Sequence, residues 1–422
     1  MLAHYEEILQ NANNGKGTDT VYLDFAKAFD KVDHQLLLMK LESIGIKGKL
    51  LGWLKSFLSN RTQEVAVDGF KSFVSAVISG VPQGSVLGPI LFLIFINDIS
   101  SSIDHCKLKS FADDTKLSQS ISCQNDADQL QSDLDKVMEW STLNNMALNE
   151  EKFEFIKNCY EFDSTSLELP FGYYNSCYKT TNSTLIDCSF NVKDLGVTFS
   201  SNSTFDVHIA NIVKKAKSKA AWILSVFKTR NRDEMMELYK TYVRSHLEYC
   251  CPLLNPSGPN SSTSIKLLEG VQRTFTSKIH SMKSLNYWER LKTLNLMSLQ
   301  RRRERYIIIY TWKVLTGQVP NDLHMSFYMS ETGSIKAVVP SIPAHRSNLT
   351  KYDKSFSVIG PKLWNLLPVE CTLMLHSLQK FKEYLGSFLQ QFPDLPPTDG
   401  YFSPNTNSLL EWASSSSAFH FN

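Results

Sequence analysis

The sequence predicts an α+β protein. A sheet with packed helices fills residues 1–200, an all-helical basic region covers 201–320, and a mostly irregular tail covers 321–422. Three observations carry this expectation. Short β-rich runs alternate with helix-period runs as far as residue 200. Apolar residues then recur on one helix face while lysines fill the other. Eight of the 15 prolines fall after residue 339.

Taken in order, Val21 to Phe25 reads as a short buried strand. Asp33 caps a helix whose stripe is Leu37, Leu38 and Leu41, and Gly45 stops it. A second helix carries Leu50, Leu51, Leu54, Phe57 and Leu58. Asp68-Gly69 joins two β-rich runs as a hairpin, because both turn positions need φ > 0. Gly80-Val81-Pro82-Gln83-Gly84 forms a loop before an apolar helix that starts near Pro89, where a missing N–H costs nothing. A hairpin at Phe111-Ala112-Asp113-Asp114, a helix with Leu130, Leu134, Val137 and Met138, and a strand near Phe153 to Ile156 complete the layer. The Ser/Thr/Tyr-rich stretch 161–191 reads as a loop or loose hairpin. From Val207 to about Leu315 the pattern is helical. In the tail a single helix is expected, near Phe381 to Phe388.

At 422 residues the chain holds two or three domains. Apolar residues at 42% and charged residues at 20% exclude a collagenous or largely disordered chain. The net charge of +2 hides an asymmetry: residues 1–157 carry 15 Lys/Arg against 21 Asp/Glu, and residues 205–320 carry 20 against 8. An acidic first part and a basic second part fit a metal site joined to a polyanion-binding surface. The eight cysteines form no Cys-x-x-Cys pair, so neither a zinc knuckle nor a disulfide framework is implied. The longest apolar run, Val86 to Ile96, is too short to span a bilayer, and the first residues lack the cationic and apolar regions of a signal peptide. The expectation is an intracellular protein of the nucleus or cytoplasm, not secreted and without a membrane anchor; the oligomeric state is left open.

Three acidic positions stand where side chains are normally buried: Asp24 within Val-Tyr-Leu-Asp-Phe, and Asp113 with Asp114 between Phe111 and a following strand. A carboxylate in an apolar strand is costly unless neutralised, and a divalent cation shared by several carboxylates does this. Taken singly, an Asp in a strand is more often a capped or water-bonded polar group, and Asp-Asp in a turn is ordinary hairpin chemistry.

Their arrangement resembles a family. Leu23-Asp24-Phe25-Ala26-Lys27-Ala28-Phe29-Asp30, Gly80-Val81-Pro82-Gln83-Gly84-Ser85-Val86-Leu87-Gly88-Pro89 and Phe111-Ala112-Asp113-Asp114 look like palm motifs A, B and C of reverse transcriptases. The spacings, 60 residues from Asp24 to Gly84 and 29 from Gly84 to Asp113, agree. The type is that of non-LTR (LINE) retrotransposons, near the jockey and chicken-repeat clades. Asn149-Glu150-Glu151-Lys152 resembles motif D, and Asp194-Leu195-Gly196-Val197 with His208-Ile209 resembles motif E and the thumb entry. Gly360-Pro361-Lys362-Leu363-Trp364 and Asn407-Ser408-Leu409-Leu410-Glu411-Trp412 match the style of these elements' tails.

The resemblance implies a palm over 1–200, a thumb-like region over 201–320 and an extension of unknown role over 321–422. It implies an RNA-directed DNA polymerase that uses an RNA template, a DNA primer and deoxynucleoside triphosphates, with two Mg2+ ions, Mn2+ being the alternative. Asp24, Asp113 and Asp114 become the metal ligands. Lys152 becomes an acid or electrostatic helper at the leaving pyrophosphate, though by pattern alone it is an exposed strand-start lysine. Phe29 becomes the steric gate under the sugar 2′ position; by pattern it is equally a core aromatic. Gln83 and Gly84 line the nucleotide side, although Gly84 also fits an ordinary turn. Asp30 and Asp33 are left out of the metal set. Lys214, Lys215, Lys217, Lys219, Arg301 and Arg302, with Tyr239, Tyr242, Tyr249 and Trp288 interleaved, are expected to grip nucleic acid through phosphates; a solvated charged face is the competing view.

Only 23 residues precede Asp24, where family members place fingers and often an endonuclease. The expectation is therefore a palm and thumb without those parts and with little activity on their own. Two alternatives stand beside it: a truncated, inactive remnant that only binds nucleic acid, and a two-metal nuclease, which lacks a further acidic ligand in matching context.

Overall fold

The computed structural model describes residues 1–158, 177–254, 261–340, 350–399 and 407–415. The loop expected over 161–191 lies outside them as far as residue 176. The chain divides into two compact units, Gly15–Gly196 and a discontinuous one made of Met1–Asn14 with Val197–Asn422.

The Gly15–Gly196 unit is α+β. Its five-stranded sheet comprises β1 (Gly17–Leu23), β2 (Lys107–Phe111), β3 (Asp114–Ile121), β4 (Glu154–Asn158) and β5 (Asp187–Cys188), in the order β2-β3-β1-β4-β5. All pairings are antiparallel except β4 with β5. The strand expected over Val21 to Phe25 thus begins earlier and ends before Asp24. Thr18 and Thr20 extend it, since β-branched side chains suit a pleated, covered surface. Register gives the sheet two unlike faces. Val21 stands beside Leu117 and Phe155 in an apolar row, whereas Tyr22 stands beside Lys116 and Glu154 in a polar one.

The apolar face packs on four helices, His34–Ser43, Gly48–Leu58, Leu87–Ile96 and Gln124–Leu143. Asp33 caps the first as expected, accepting the Gln35 and Leu36 N–H groups at 2.8 and 3.0 Å. Leu37, Leu41, Phe92, Phe95, Leu130, Leu134 and Val137 are fully buried here. Burying each such side chain contributes about 1.5–3 kcal/mol. The Asp68-Gly69 hairpin forms too, both residues taking left-handed backbone between Ala66–Val67 and Phe70–Lys71.

The discontinuous unit is mostly helical. Asp206–Val226 buries Ile209, Val213, Ala216, Ala220 and Ile223 against the Ser261–Thr276 helix and its neighbours. A buried polar chain threads this core. Tyr239 donates to Gln272 at 2.8 Å, Gln272 donates to the Tyr287 oxygen at 3.0 Å, and Tyr287 donates to Glu269 at 2.5 Å. Burial pushes the Glu269 carboxyl up to about 7.

The tail corrects the sequence reading. Residues 321–422 are not mostly irregular where described: they carry the helices Thr350–Asp353, Phe356–Trp364, Val369–Thr372, Leu378–Leu389 and Leu409–Ser415. Aromatic anchors order them. Trp312 stacks on Phe381 at 5.4 Å and donates to the Met374 carbonyl, while Trp364 donates to the Ile335 carbonyl. Leu2–Asn13 belongs to this unit as well. Its Glu6 carboxylate accepts the Phe356 and Ser357 N–H groups at 2.7 and 3.1 Å, filling donors left open at the start of the Phe356–Trp364 helix. Its Tyr5 hydroxyl donates to Ser203.

Candidate active site

The ends of β1 and of the β2–β3 hairpin meet at one edge of the sheet. Leu23 pairs with Thr115, so Asp24 and Asp114 occupy the next rung. Ala112, with φ 55°, and Asp113 form the two-residue turn that brings β3 back beside β2. The expectation of buried carboxylates is corrected here. All three lie at strand ends and keep solvent access, the Asp24 side chain being 38% exposed. The charge of the neighbouring acids still reaches Asp114. The Asp114 carboxyl sits above the usual range, first because burial disfavours its anion and then because Asp113, Asp194 and Asp24 repel it. The three carboxylates share this edge, but their oxygens do not close to within 4.8 Å of one another as a ready-made three-ligand set. Acidic oxygens brought to one edge are the ligand type a hard divalent cation takes.

A cavity of about 160 Å3 opens beside this edge, lined by Tyr22, Asp24, Asp114, Lys116, Lys152 and Asp194 among others. Lys116 donates to Asp194, and the two side chains are 8% and 6% exposed. Burial lowers the Lys116 pKa, while Asp194 opposes that shift. Sequence reasoning named Asp194 only within a motif, and nothing local announced its partner 78 residues away. Lys152 donates to Asp24 at 3.1 Å, and the backbone N–H of Asn149 to the Asp24 carbonyl at 2.8 Å. The Lys152 side chain is 64% exposed, so this ion pair contributes at most about 1 kcal/mol.

The loop at 80–84 is tied to the segment after Asp24. Gln83 donates to the Asp30 carboxylate at 2.9 Å and Ser79 to the Asp30 carbonyl at 2.8 Å. Asp30, set aside as a metal ligand, is thus the anchor of this loop. Gly80 is required by contact: with φ 86°, a Cβ there would lie 2.8 Å from the Asp30 Cα. Gly84, at φ 82°, turns the chain in open space. Phe29 stacks on buried Phe92 at 4.3 Å and is itself half-buried.

Among the described residues, the three-residue group whose ligand atoms do lie within 4.8 Å of one another is Asp104, His105 and Asp133. Asp133, however, accepts the N–H groups of Asp104, His105 and Cys106 at 3.1, 2.7 and 2.7 Å and the Lys136 ammonium at 3.1 Å. Although burial opposes it, these bonds hold the carboxyl down at about 2. The group clasps a loop.

Lys214, Lys215, Lys217 and Lys219 are exposed on the outer face of Asp206–Val226. Arg301 and Arg302 are not open to a phosphate backbone, which corrects their expected role. Arg301 is 1% exposed and donates to the Pro393 carbonyl; Arg302 is bidentate on Glu248. Tyr239 is core, while Tyr242 and Tyr249 are about half exposed.

Residues 3–199 match the family described as reverse transcriptase (RNA-dependent DNA polymerase). The segment is a reverse transcriptase domain of the non-LTR, LINE type. The chain is 29% identical over 274 residues to the RNA-directed DNA polymerase from mobile element jockey of Drosophila melanogaster, covering 62% of this chain and 28% of the relative. It is 26% identical over 281 residues to the probable RNA-directed DNA polymerase from transposon X-element of the same fly, covering 63% and 29%. The chain therefore spans less than a third of the length of these relatives. Among solved structures, apo telomerase from Candida tropicalis matches 76% of this chain and 54% of that chain, at 11% identity and a TM-score of 0.38. No described helix is long and apolar enough to cross a membrane.

Proposed function

We propose that the chain carries the palm and thumb of an RNA-directed DNA polymerase of a retroelement, extending a DNA primer on an RNA template with deoxynucleoside triphosphates. The palm lies within 1–200, its sheet in the Gly15–Gly196 unit, followed by a basic thumb-like region over 201–320 and an extension over 321–422. The observation that supports this best is the placement of Asp24, Asp113 and Asp114 at one sheet edge, where burial and then the charges of Asp113, Asp194 and Asp24 disfavour the Asp114 anion. These carboxylates would hold two Mg2+ ions, with Mn2+ as the alternative. Bound there, divalent ions supply Lewis acidity toward a primer hydroxyl and a triphosphate.

The protein's own groups do the rest. Lys152, exposed and paired only at the surface, is free to leave Asp24 and meet phosphate charge. Phe29, braced by Phe92, presents an aromatic edge that rejects a 2′-hydroxyl by bulk. Gln83, held by Asp30, and Gly84 line the nucleotide side. Lys214, Lys215, Lys217 and Lys219 hold template and primer through phosphates, without a sequence code.

The test is Asp113→Asn or Asp24→Asn, read by primer extension and by Mn2+ binding in calorimetry. Each variant should lose at least about a hundredfold in extension and should bind Mn2+ more weakly. Unchanged extension, or unchanged Mn2+ binding, by either variant overturns the assignment.

A further inference from the structure

A second cavity, of about 800 Å3, lies wholly within the discontinuous unit. Its wall is basic. Arg301 is met by Glu304 at 3.6 Å and Arg302 by Glu248, which also serves Arg244 at 3.5 Å. The lining thus carries six cations, Lys240, Arg244, Lys292, Arg301, Arg302 and Arg305, against three carboxylates, Glu248, Glu304 and Asp394, an excess of positive charge. Asp394 is itself occupied by the Ser298 N–H at 2.7 Å and the Asn407 amide at 2.8 Å. Burial and the neighbouring Arg302 charge both disfavour the Arg244 and Arg305 cations. An excess of partly buried positive charge of this kind is relieved by an anion.

A separate observation points to the same wall. Lys240 and Arg244 are carried by a π-helical segment, Tyr239–Arg244, inserted between the helices Arg232–Leu238 and Ser245–Glu248. π-Helical turns are rare and cluster at functional sites, because the wider turn redirects side chains that an α-helix would spread around its axis. Half-buried Trp288 adds an aromatic face to the cavity.

We propose that this cavity binds a single nucleic-acid strand, its phosphates on Lys240, Arg244, Lys292 and Arg305 and a base against Trp288. Guanidinium forks match phosphate oxygens, and every base has a face that stacks on an indole. A concave site of this volume admits a strand end or an unstacked nucleotide, whereas a duplex could only lie across its mouth. An acidic peptide would satisfy the charge and leave the indole unused. The site is distinct from the Lys214–Lys219 face and does not depend on the polymerase reading.

The test uses the whole chain and a labelled strand of about ten nucleotides carrying a photoreactive uracil. Cross-links should map to peptides containing Trp288 or Lys292, and should persist when the four lysines at 214, 215, 217 and 219 are replaced by Glu. The double variant Lys240→Gln, Lys292→Gln alters two exposed side chains and should leave thermal unfolding unchanged. At about 0.7 decade per phosphate contact, it should weaken strand capture at this site about 25-fold in 0.1 M salt and reduce the salt slope by about 1.4. Absence of cross-links in these peptides, or capture by the double variant within about twofold of the parent, overturns the proposal. So does displacement of the strand by poly-glutamate at equal charge concentration, which would make this a peptide site. Equally tight binding of a mononucleotide or inorganic phosphate would overturn the strand assignment.

Discussion

Replacing Lys116 with Met should unmoor the sheet edge that carries Asp24 and Asp114. The ammonium sits on Asp194 with both side chains almost out of water, at 8% and 6% exposure, and the Tyr22 hydroxyl beside it is buried without a hydrogen-bond partner. Removing one member of a buried pair strands the other, at a cost of about 3–5 kcal/mol. Asp194→Leu should therefore be as damaging as Lys116→Met. The double variant, which leaves no charge behind, should return to within about 1 kcal/mol of the parent, since packed apolar groups replace a buried pair with little loss. Hydrogen exchange by mass spectrometry reads this locally, from peptides covering β1 and β3. Either single variant should speed exchange there by more than about a hundredfold, and the double variant should restore protection. Single variants that shift protection by less than about 1 kcal/mol, or a double variant as labile as the sum of the two, would refute the reasoning.

Phe29→Ala should raise ribonucleotide incorporation more than it lowers deoxyribonucleotide use; equal effects on both would make Phe29 a packing residue against Phe92 alone. Reversing Lys214, Lys215, Lys217 and Lys219 should flatten the dependence of nucleic-acid affinity on salt, and an unchanged slope in a filter-binding series would contradict the proposed contacts. His208 accepts the Thr198 N–H at 3.2 Å, and burial, then the Lys215 charge, holds its pKa at about 4. Because the unfolded chain takes up that proton near pH 6.5, stability should be full above that pH and fall by about 2 kcal/mol, allowing for solvent screening, as pH drops toward 4. Urea midpoints across that range should decline less in His208→Gln than in the parent.

The elements legible in the sequence were those with local signals. Asp33 caps its helix through N–H groups two and three residues away, and Asp68-Gly69 supplies two left-handed positions side by side. Asp24, Asp113 and Asp114 were found by type and spacing, but their exposure was misjudged, because a strand's last residue cannot be told from its interior by pattern. Partners distant in sequence stayed hidden: Asp194 for Lys116, Asp30 for Gln83, Glu248 for Arg302. Arg301 and Arg302 looked like part of a surface grip, yet their helix is enclosed on most sides and Arg301 is spent on the backbone of Pro393. Proline count made the tail look irregular. Pro361 in fact lies inside a helix, held there by buried Phe356, Val358, Leu363 and Trp364.

The discontinuous unit bears on how the chain can be made. Its first helix leaves a ribosome before any of Gly15–Gly196, but Glu6 finds its donors only at Phe356 and Ser357, 350 residues later. The sheet unit can close during synthesis while Leu2–Asn13, with apolar Tyr5, Ile8 and Leu9, waits without its core. For that interval the segment is a ready client for a chaperone; Phe199 and Phe205 begin to cover Tyr5 when they emerge, and the Phe356–Trp364 helix completes the contact through Glu6.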